Sequence, residues 1–239
     1  AGLQRVQVGV HVDAAFLAEF SVRLDSMAKD LEARIFAEVG HPFNIGSPKQ
    51  LQVVLFEELR LQEKLGMKRL KKTKTGYSTD ENVLSKLSGH PVPKLILEYR
   101  SVMKLKGTYV DTLPQFIHPK TNRVHTRFQQ AVAATGRLSC DSPNLQNIPM
   151  RSELGQEIRK AFMPESEHSV IMSADYSQIE IRLLAHLADA EDLIHAFNGG
   201  LDIHRVTAAK VFGVKESEVT GEMRSRAKAV NFGIMYGMG

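Results

Sequence analysis

The clearest candidate for chemistry is an acidic residue that follows a short apolar run. Residues 169–174 lead into Asp175, and Tyr176 and Glu180 come shortly after it. The run predicts a buried strand, and a carboxylate at the end of such a strand is held rigidly at a cleft. A hard cation such as Mg²⁺ binds there through one or two protein oxygens, while phosphate oxygens complete its shell. An ordinary helix cap has the same local pattern, so both interpretations of Asp175 stand.

Cations and aromatic rings recur every fourth residue in a predicted helix that starts near Thr220. One predicted face consists of Arg224, Lys228, Phe232 and Tyr236. The face predicted to be buried consists of Met223, Ala227, Val230 and Ile234. Two cations one turn apart, followed by an aromatic ring and a phenol, suit a triphosphate with a sugar and a base stacked beyond it. An exposed helix face with a frayed, glycine-rich end is the alternative.

Long hydrogen-bond donors cluster in a loop rich in Pro and Asn. They are Arg137, Asn144, Gln146 and Asn147. Such donors suit the minor-groove acceptors that every base pair presents, which allows a protein to check pair geometry without reading sequence. Loops of this composition are also ordinary turns.

The positive charge is concentrated in one segment. The whole chain has a formal net charge of +4, from 31 Lys and Arg against 27 Asp and Glu. Residues 60–74 alone hold seven bases and one acid. Lys and Arg release counterions from a phosphate backbone, so the segment predicts contact with a polyanion. A solvated loop is the alternative.

Helical periodicity dominates the part of the chain that must position these residues. A long amphipathic helix is predicted over 12–39, with Gly40 just past its end, and another over 94–113, after prolines that break the preceding helix. The candidate capping boxes pair Ser47 with Gln50 and Ser78 with Glu81.

The residue pattern changes from helical periodicity to a strand-like pattern at about Gln115. A strand-like stretch is predicted around 128–133, and the helical pattern returns through His186 and again from Asp202 to Phe212. This order of elements predicts an α+β body that carries a helical arm.

Composition excludes several classes of protein. Hydrophobic residues make up 43% and charged residues 24%, which is ordinary globular usage. The single cysteine, Cys140, excludes an intrachain disulfide and a zinc site built from several thiolates. No apolar run approaches the ~20 residues that a membrane-spanning helix needs. We expect a cytoplasmic protein without a membrane partner.

Five motifs in this order resemble those of the family A, polymerase-I-like DNA polymerases. The two longest are SADYSQIEIRLLAHL at 173–187, which is similar to motif A, and RSRAKAVNFGIMYG at 224–237, which is similar to motif B. The others are SPKQL at 47–51, KKTKTGYSTD at 71–80 and TGRLSCDSPNLQNIP at 135–149. The resemblance implies a right-hand fold with a thumb at 1–113, part of a palm at 114–190 and part of the fingers at 191–239.

The resemblance also implies roles for single residues. Asp175 would bind metal together with the Tyr176 carbonyl, and Asp175, Lys228 and Arg224 would be the catalytic residues. The implied nucleotide-binding residues are Gln178, Glu180, His204, Arg224, Lys228, Phe232 and Tyr236, of which Glu180 and Phe232 would crowd out a 2′-hydroxyl. The implied DNA-binding residues are Lys68, Arg69, Lys71, Lys72, Lys74, Arg100, Lys104, Arg137, Asn144, Gln146 and Asn147.

The implied reaction is templated transfer of dNMP from dNTP to a primer 3′-hydroxyl. The resemblance implies two Mg²⁺ ions as cofactors and primer-template DNA as the partner. It also implies that the protein is a monomer in a bacterial or phage-infected cell. The sequence departs from the family pattern in two places. The second arginine that opens motif B in many relatives is displaced to Arg226, and the His-Asp-Glu motif that supplies the second metal aspartate is not found before Gly239. We therefore expect these 239 residues alone to be inactive, and keep a non-catalytic primer-template-binding fragment as the alternative function.

Overall fold

Two compact units make up the chain. The structure is a computed structural model that describes residues 4–5, 8–67, 71–73, 76–150, 152–235 and 237. The units are Ala1–Ile171 and Met172–Gly239. Each contains a hydrophobic core of its own.

The first unit contains short strands and helices of very different length. Its helices are α1 (Ala14–Val39), α2 (Pro48–Gln52), α3 (Leu61–Lys64), α4 (Glu81–Lys86), α5 (Pro91–Leu105) and α6 (Glu153–Ile158). Its strands are β1 (Gln4–Arg5), β2 (His11–Val12), β3 (Lys72–Thr73), β4 (Gly76–Tyr77), β5 (Ile117–His118), β6 (Arg123–Val124), β7 (Arg127–Gln129), β8 (Ser139–Asp141) and β9 (Phe162–Met163). π-Helical turns cover Val53–Glu58 and Lys106–Val110, and 3₁₀ turns cover Leu113–Phe116 and Arg159–Ala161.

Capping and apolar periodicity together define α1. The Asp13 carboxylate accepts the Phe16 N–H at 2.9 Å, and Gly40 ends the helix in the left-handed conformation that favours glycine. The buried face consists of Leu17, Phe20, Leu24, Ala28, Leu31 and Ile35. It packs mainly against α5, and this pair forms the centre of the core of the first unit. The predicted long helix is confirmed to within two residues.

Both predicted capping boxes were wrong in part. Ser47 caps α2 as expected, but the Gln50 side chain accepts the Asn44 N–H at 2.7 Å and so does not complete a box with Ser47. The cap of α4 is Asp80 rather than Ser78, because the Asp80 carboxylate lies directly before the helix and accepts an N–H of its first turn. The Ser78 hydroxyl instead accepts the N–H of Asp80.

The start predicted for α5 was also wrong. The helix begins at Pro91 rather than Lys94, since Pro91 and Pro93 occupy the first turn, where the missing N–H has no helical partner to lose. His90 caps this turn through Nδ1. The regular α-helix ends at Leu105, and a π-helical turn follows it.

All strand pairs are antiparallel, and the sheets are small. β1, β7 and β8 form a three-stranded sheet in the order β1-β7-β8, while β2 pairs with β9, β3 with β4 and β5 with β6. The strand-like stretch predicted to reach Ala133 is shorter than expected, because β7 ends at Gln129. The mixture of helices and antiparallel strands confirms the α+β class.

Helices form the second unit. They are α7 (Ile179–Leu187), α8 (Glu191–Asn198), α9 (Ile203–Phe212) and α10 (Gly221–Met235), with a 3₁₀ turn at Glu216–Glu218. α9 and α10 pack on each other around the buried Ala208, Val219 and Ala227. The predicted helices are confirmed, and α8 was missed. None of the helices in the described part of the chain has the length and apolar character needed to cross a bilayer.

The strand predicted for residues 169–174 does not form. The segment lacks strand pairing to any described residue, and Val170 and Met172 are 86% and 84% exposed. The apolar pattern was correct but insufficient, because a strand needs a hydrogen-bonded neighbour.

The predicted buried face of α10 was partly wrong. Ala227 is buried and Met223 is half-buried, but Val230 is 42% exposed. The buried face of α10 instead includes Gly233, which is buried, and Asn231, which is half-buried. The side chain of Ile234 lies outside the described residues.

Candidate functional site

A pocket of about 290 Å³ in the second unit collects most of the predicted metal-binding and nucleotide-binding residues. It is lined by Asp175, Tyr176, Gln178 and Glu180, by His204 of α9, and by Lys228 and Phe232 of α10. The packing of α10 on α9 places the cation and aromatic ring of one helix beside the histidine of the other. Acidic, cationic and aromatic groups that are distant in sequence therefore meet in one cavity.

Asp202 connects the start of α9 to α10. Its carboxylate caps α9 by accepting the N–H groups of His204 and Arg205, and it accepts the Nε–H of Arg224 at 2.6 Å. Burial opposes ionisation of Asp202, but the Arg224 and backbone hydrogen bonds outweigh burial and lower its pKa. Arg224, predicted to hold a triphosphate, is therefore oriented by an ion pair at the edge of the α9–α10 contact.

His204 is the most buried polar residue of the pocket, with 2% exposure. Burial and the positive charges of Arg224 and Lys228 lower its pKa, against the opposing effect of Asp202. The ring is therefore neutral near neutral pH. Its Nδ1 lies 3.0 Å from the side-chain nitrogen of Asn231, and its ring packs near that of Phe232.

Lys228 and Phe232 act as a pair on α10. The Lys228 ammonium lies 5.9 Å from the centre of the Phe232 ring, over its face. Lys228 is exposed and Phe232 is half-buried. The pocket thus has a cation at its mouth and an aromatic surface further in.

The segment before α7 contributes the acidic side of the pocket. Asp175 and Tyr176 are exposed, and Gln178 adopts a left-handed conformation directly before the helix. The Gln178 side-chain oxygen is buried and has no hydrogen-bond partner among the described residues. Arg182 donates to the Ser177 carbonyl at 3.0 Å, which ties this segment to the first turns of α7.

The donor set of the pocket fits one hard cation. Asp175 is an exposed carboxylate of the lining, and Tyr176 follows it directly. Mg²⁺ is commonly held by one or two carboxylates with water and phosphate oxygens. No cluster of three or more His, Cys, Asp or Glu residues that could hold a metal occurs within the described ranges. A second ion would need further carboxylates.

A cleft of about 330 Å³ in the first unit contains three of the predicted DNA-binding residues. Arg100 and Lys104 of α5 line it together with Asn147. Arg100 donates to the Thr79 carbonyl, which fixes its guanidinium against the segment before α4. Burial lowers the pKa of Arg100, although Asp80 opposes this shift.

The basic segment is only partly described. Lys71 forms an ion pair with Asp80 at 2.8 Å, and Lys72 lies over the Tyr77 ring at 4.9 Å. The Lys71 hydrogen bond and the Val83 N–H lower the pKa of Asp80 to about 2. The predicted contacts Lys68, Arg69 and Lys74, and the pocket residue Tyr236, lie outside the described residues.

The loop after β8 is held by its own polar groups. Asn144 accepts the Gln146 N–H, and the Gln146 side chain donates to the Leu138 carbonyl. The Tyr109 hydroxyl donates to the Asn147 carbonyl, which joins the loop to the end of the helical arm. Arg137 was predicted to share this loop, but it lies before β8, which separates it from Asn144. It also has an interaction partner of its own. Asn147 therefore lines one cleft with Arg100 and Lys104. Of the other described residues of this prediction, Arg137, Asn144 and Gln146 do not line it.

Sequence reasoning missed Asp202 and Asn231 as site residues. Asp202 was visible as the first residue of a predicted helix, and its pairing with Arg224 was not. Asn231 belongs to motif B but lies outside the four-residue stripe. Both contacts depend on the packing of α9 against α10, which local patterns do not report.

Comparison with known proteins identifies the family. The model of DNA polymerase family A matches residues 14–239. The chain is 51% identical over 231 residues to DNA polymerase I of Geobacillus stearothermophilus and 50% identical over 231 residues to that of Bacillus subtilis. Each match covers 96% of this chain and 26% of the relative, so the chain spans about a quarter of the length of these curated relatives.

A solved structure has the same fold. The POL domain of Pol1 from M. smegmatis, in complex with DNA primer-template and dNTP, superposes with a TM-score of 0.86 at 44% identity. The match covers 97% of this chain and 40% of that one. The chain therefore belongs to DNA polymerase family A and has its polymerase fold, which confirms the family and fold predicted from the motifs.

Proposed function

We propose that this chain forms the nucleotide-binding and primer-template-binding part of a DNA polymerase. The reaction is templated transfer of dNMP from dNTP to a primer 3′-hydroxyl, with release of pyrophosphate. The main support is that one pocket contains the acidic residues Asp175 and Glu180 together with His204, Lys228 and Phe232. Family membership and the similarity to a domain in complex with primer-template and dNTP support it.

The cations of the pocket would bind the triphosphate. Lys228 is exposed at the pocket, and Arg224 is oriented nearby by Asp202. Positive charge near the phosphate oxygens favours nucleotide binding. It also stabilises the negative charge that develops as the bond between the α-phosphorus and the oxygen bridging to the β-phosphate breaks. His204 would add a neutral N–H donor, since its lowered pKa keeps the ring uncharged.

Glu180 and Phe232 would select the sugar. Both line the pocket, Glu180 from the first turn of α7 and Phe232 from α10. A carboxylate and an aromatic ring on two sides of the sugar leave little room for a 2′-hydroxyl. The Phe232 ring also offers an apolar surface for the sugar edge.

Asp175 and the Tyr176 carbonyl would hold Mg²⁺. When bound, two such ions activate the primer hydroxyl and neutralise the leaving pyrophosphate. The described residues fit one of these ions, so we expect no extension from the 239-residue chain alone.

The first unit would bind the duplex. Arg100 and Lys104 in one cleft and the basic residues Lys71 and Lys72 would contact phosphates, whereas Arg137 and Gln146 would contact the minor groove. We assign the thumb to 1–113, the palm to 114–190 and the fingers to 191–239.

A second candidate function is primer-template binding without nucleotide addition. It is favoured by the donor set of the pocket, in which the described residues fit one ion, whereas the transfer reaction uses two. The first unit would then supply the function, and the pocket of the second unit would be a remnant.

Primer extension on a labelled hairpin tests the two candidates. A longer polymerase, of the length of the relatives and containing these residues, is compared with its Asp175→Asn variant, which removes the charge and keeps the shape. We expect Asp175→Asn to abolish extension and to leave hairpin affinity within about twofold, since 0.4 kcal/mol corresponds to about that factor. Full extension by the variant would contradict the metal-binding role of Asp175.

A further inference from the structure

The side chain of Asn231 reaches from α10 to the ring of His204 on α9. Its Nδ2 lies 3.0 Å from Nδ1 of the imidazole. His204 is 2% exposed and Asn231 is half-buried, so water competes little for this contact. His204 also lines the pocket that contains Lys228 and Phe232.

This contact determines which ring nitrogen carries the proton. An amide nitrogen only donates, so Nδ1 must accept, and a neutral imidazole then has its proton on Nε2. With Nδ1 occupied by Asn231, Nε2 is the ring nitrogen left for a ligand. A phosphate oxygen accepts hydrogen bonds but does not donate them at neutral pH, so it needs Nε2 protonated.

We propose that Asn231 is a positioning residue that holds His204 in the tautomer protonated at Nε2, so that the ring donates to a phosphate oxygen of a nucleotide in the pocket. The inference rests on the proposed function, because it takes the triphosphate of a dNTP as the ligand. Asn231 acts through His204 and need not touch the nucleotide.

The charges around His204 make the tautomer important. Arg224, paired with Asp202, and Lys228 face the ring from α10, while Asp175 and Glu180 line the same pocket. Burial and the two cations favour the neutral ring, which has a single N–H. An imidazolium would donate from both nitrogens, and its tautomer would not matter.

Asn231→Asp is the informative substitution because it keeps the shape of the side chain and replaces the amide donor by a carboxylate acceptor. A carboxylate accepts from Nδ1–H, which leaves Nε2 of the neutral ring as an acceptor that faces phosphate. Acid restores the Nε2 proton by forming the imidazolium, and the new carboxylate makes this easier by raising the pKa of His204. Asn231→Asp should bind dATP about tenfold more weakly than the unaltered chain at about pH 8.5. At about pH 5.5 the two proteins should bind dATP with nearly equal affinity.

His204→Gln is the matched control. The glutamine amide places an N–H donor near the position of Nε2 and does not titrate. In this background Asn231→Asp adds the same negative charge, so any direct repulsion of the triphosphate remains. The recovery in acid should disappear, which separates the tautomer from the added charge in a double-mutant cycle.

The tautomer itself is measured by ¹⁵N NMR of histidine rings in the 239-residue chain, with His204→Gln identifying the signal. We expect His204 protonated at Nε2 in the unaltered chain and at Nδ1 in Asn231→Asp at about pH 8.5. A His204 protonated at Nδ1 in the unaltered chain, or an equal dATP-binding penalty at both pH values, would overturn the proposal. If His204 has the expected tautomer and dATP does not bind, the nucleotide site is wrong while the role of Asn231 in setting the tautomer stands.

Discussion

Lys228 is the residue on which nucleotide affinity should depend most directly. Lys228→Ala in the longer polymerase should raise the dNTP KM and lower kcat, since the ammonium acts on the bound triphosphate and on charge that develops in the transition state. The loss in kcat/KM should be at least about tenfold, the effect of one charge-assisted hydrogen bond. Steady-state kinetics and duplex binding measure it.

Lys210→Ala is the matched control for Lys228→Ala. Lys210 is an exposed lysine of α9 outside the pocket lining. Its substitution removes the same charge from the second unit and should change kcat/KM by less than about twofold. Weakened duplex binding with an unchanged KM in Lys228→Ala would place Lys228 on the DNA instead.

Glu180 should control discrimination against ribonucleotides. Glu180→Ala removes bulk from one side of the pocket, so the ratio of kcat/KM for rNTP to that for dNTP should rise by about tenfold or more. Glu180→Gln keeps the bulk and should leave the ratio nearly unchanged. An unaltered ratio in Glu180→Ala would show that the carboxylate has a structural role alone.

Part of the pocket was predictable from residue types. The spacing of Lys228 and Phe232 along one helix face and the acid at Asp175 are local patterns, and the motif resemblance added His204 and Glu180. The Asn231–His204 contact was not predictable, because it joins two helices and depends on the direction of one amide.

Asp202 contributes to the stability of α9 in two ways. Asp202→Ala should lower the free energy of unfolding by about 1 kcal/mol through loss of the cap. Asp202→Ser keeps a capping oxygen and removes the pairing with Arg224, so it should recover the loss of the cap and retain the loss of the ion pair. Urea denaturation of the three proteins measures the difference, and equal losses in both variants would show that the ion pair matters more than the cap.

The same pair of variants gives a pH test. Asp202 has a lowered pKa, so its stabilisation is complete above the ordinary aspartate value of about 3.9 and is lost as the pH falls through the lower value of the folded state. The stability difference between the unaltered chain and Asp202→Ser should therefore shrink below about pH 4. A difference that stays constant in acid would exclude the ionised carboxylate as its source.

Helices were predicted better than strands for a physical reason. α1 and α9 are specified by their own apolar spacing and caps, as with Asp13 and Gly40 at the ends of α1. Residues 169–174 have the composition of a buried strand but lack a pairing partner among the described residues. The predicted cap of α4, Ser78, lies two residues before the observed cap, Asp80. Both residue types are good caps, and only the path of the backbone decides between them.

DNA affinity should depend on charge distributed over the first unit. Replacing Lys71 and Lys72 by Ala should weaken primer-template binding for every sequence and reduce the slope of log K against log salt concentration by about one unit for each phosphate that is no longer neutralised. Replacing Lys29 and Arg34 of α1, two exposed bases outside the proposed DNA surface, removes the same charge. The control should leave the slope unchanged, and equal slopes for both pairs would favour the solvated-loop interpretation.

We expect the pocket of the second unit to bind the incoming dNTP during DNA synthesis. A crystal structure of the longer polymerase with primer-template, Mg²⁺ and a non-hydrolysable dNTP analogue tests it most directly. We expect the triphosphate to contact Lys228, Arg224 and Nε2 of His204, with the sugar between Glu180 and Phe232. A nucleotide bound outside this pocket, with Lys228 and His204 free of phosphate contacts, would contradict it.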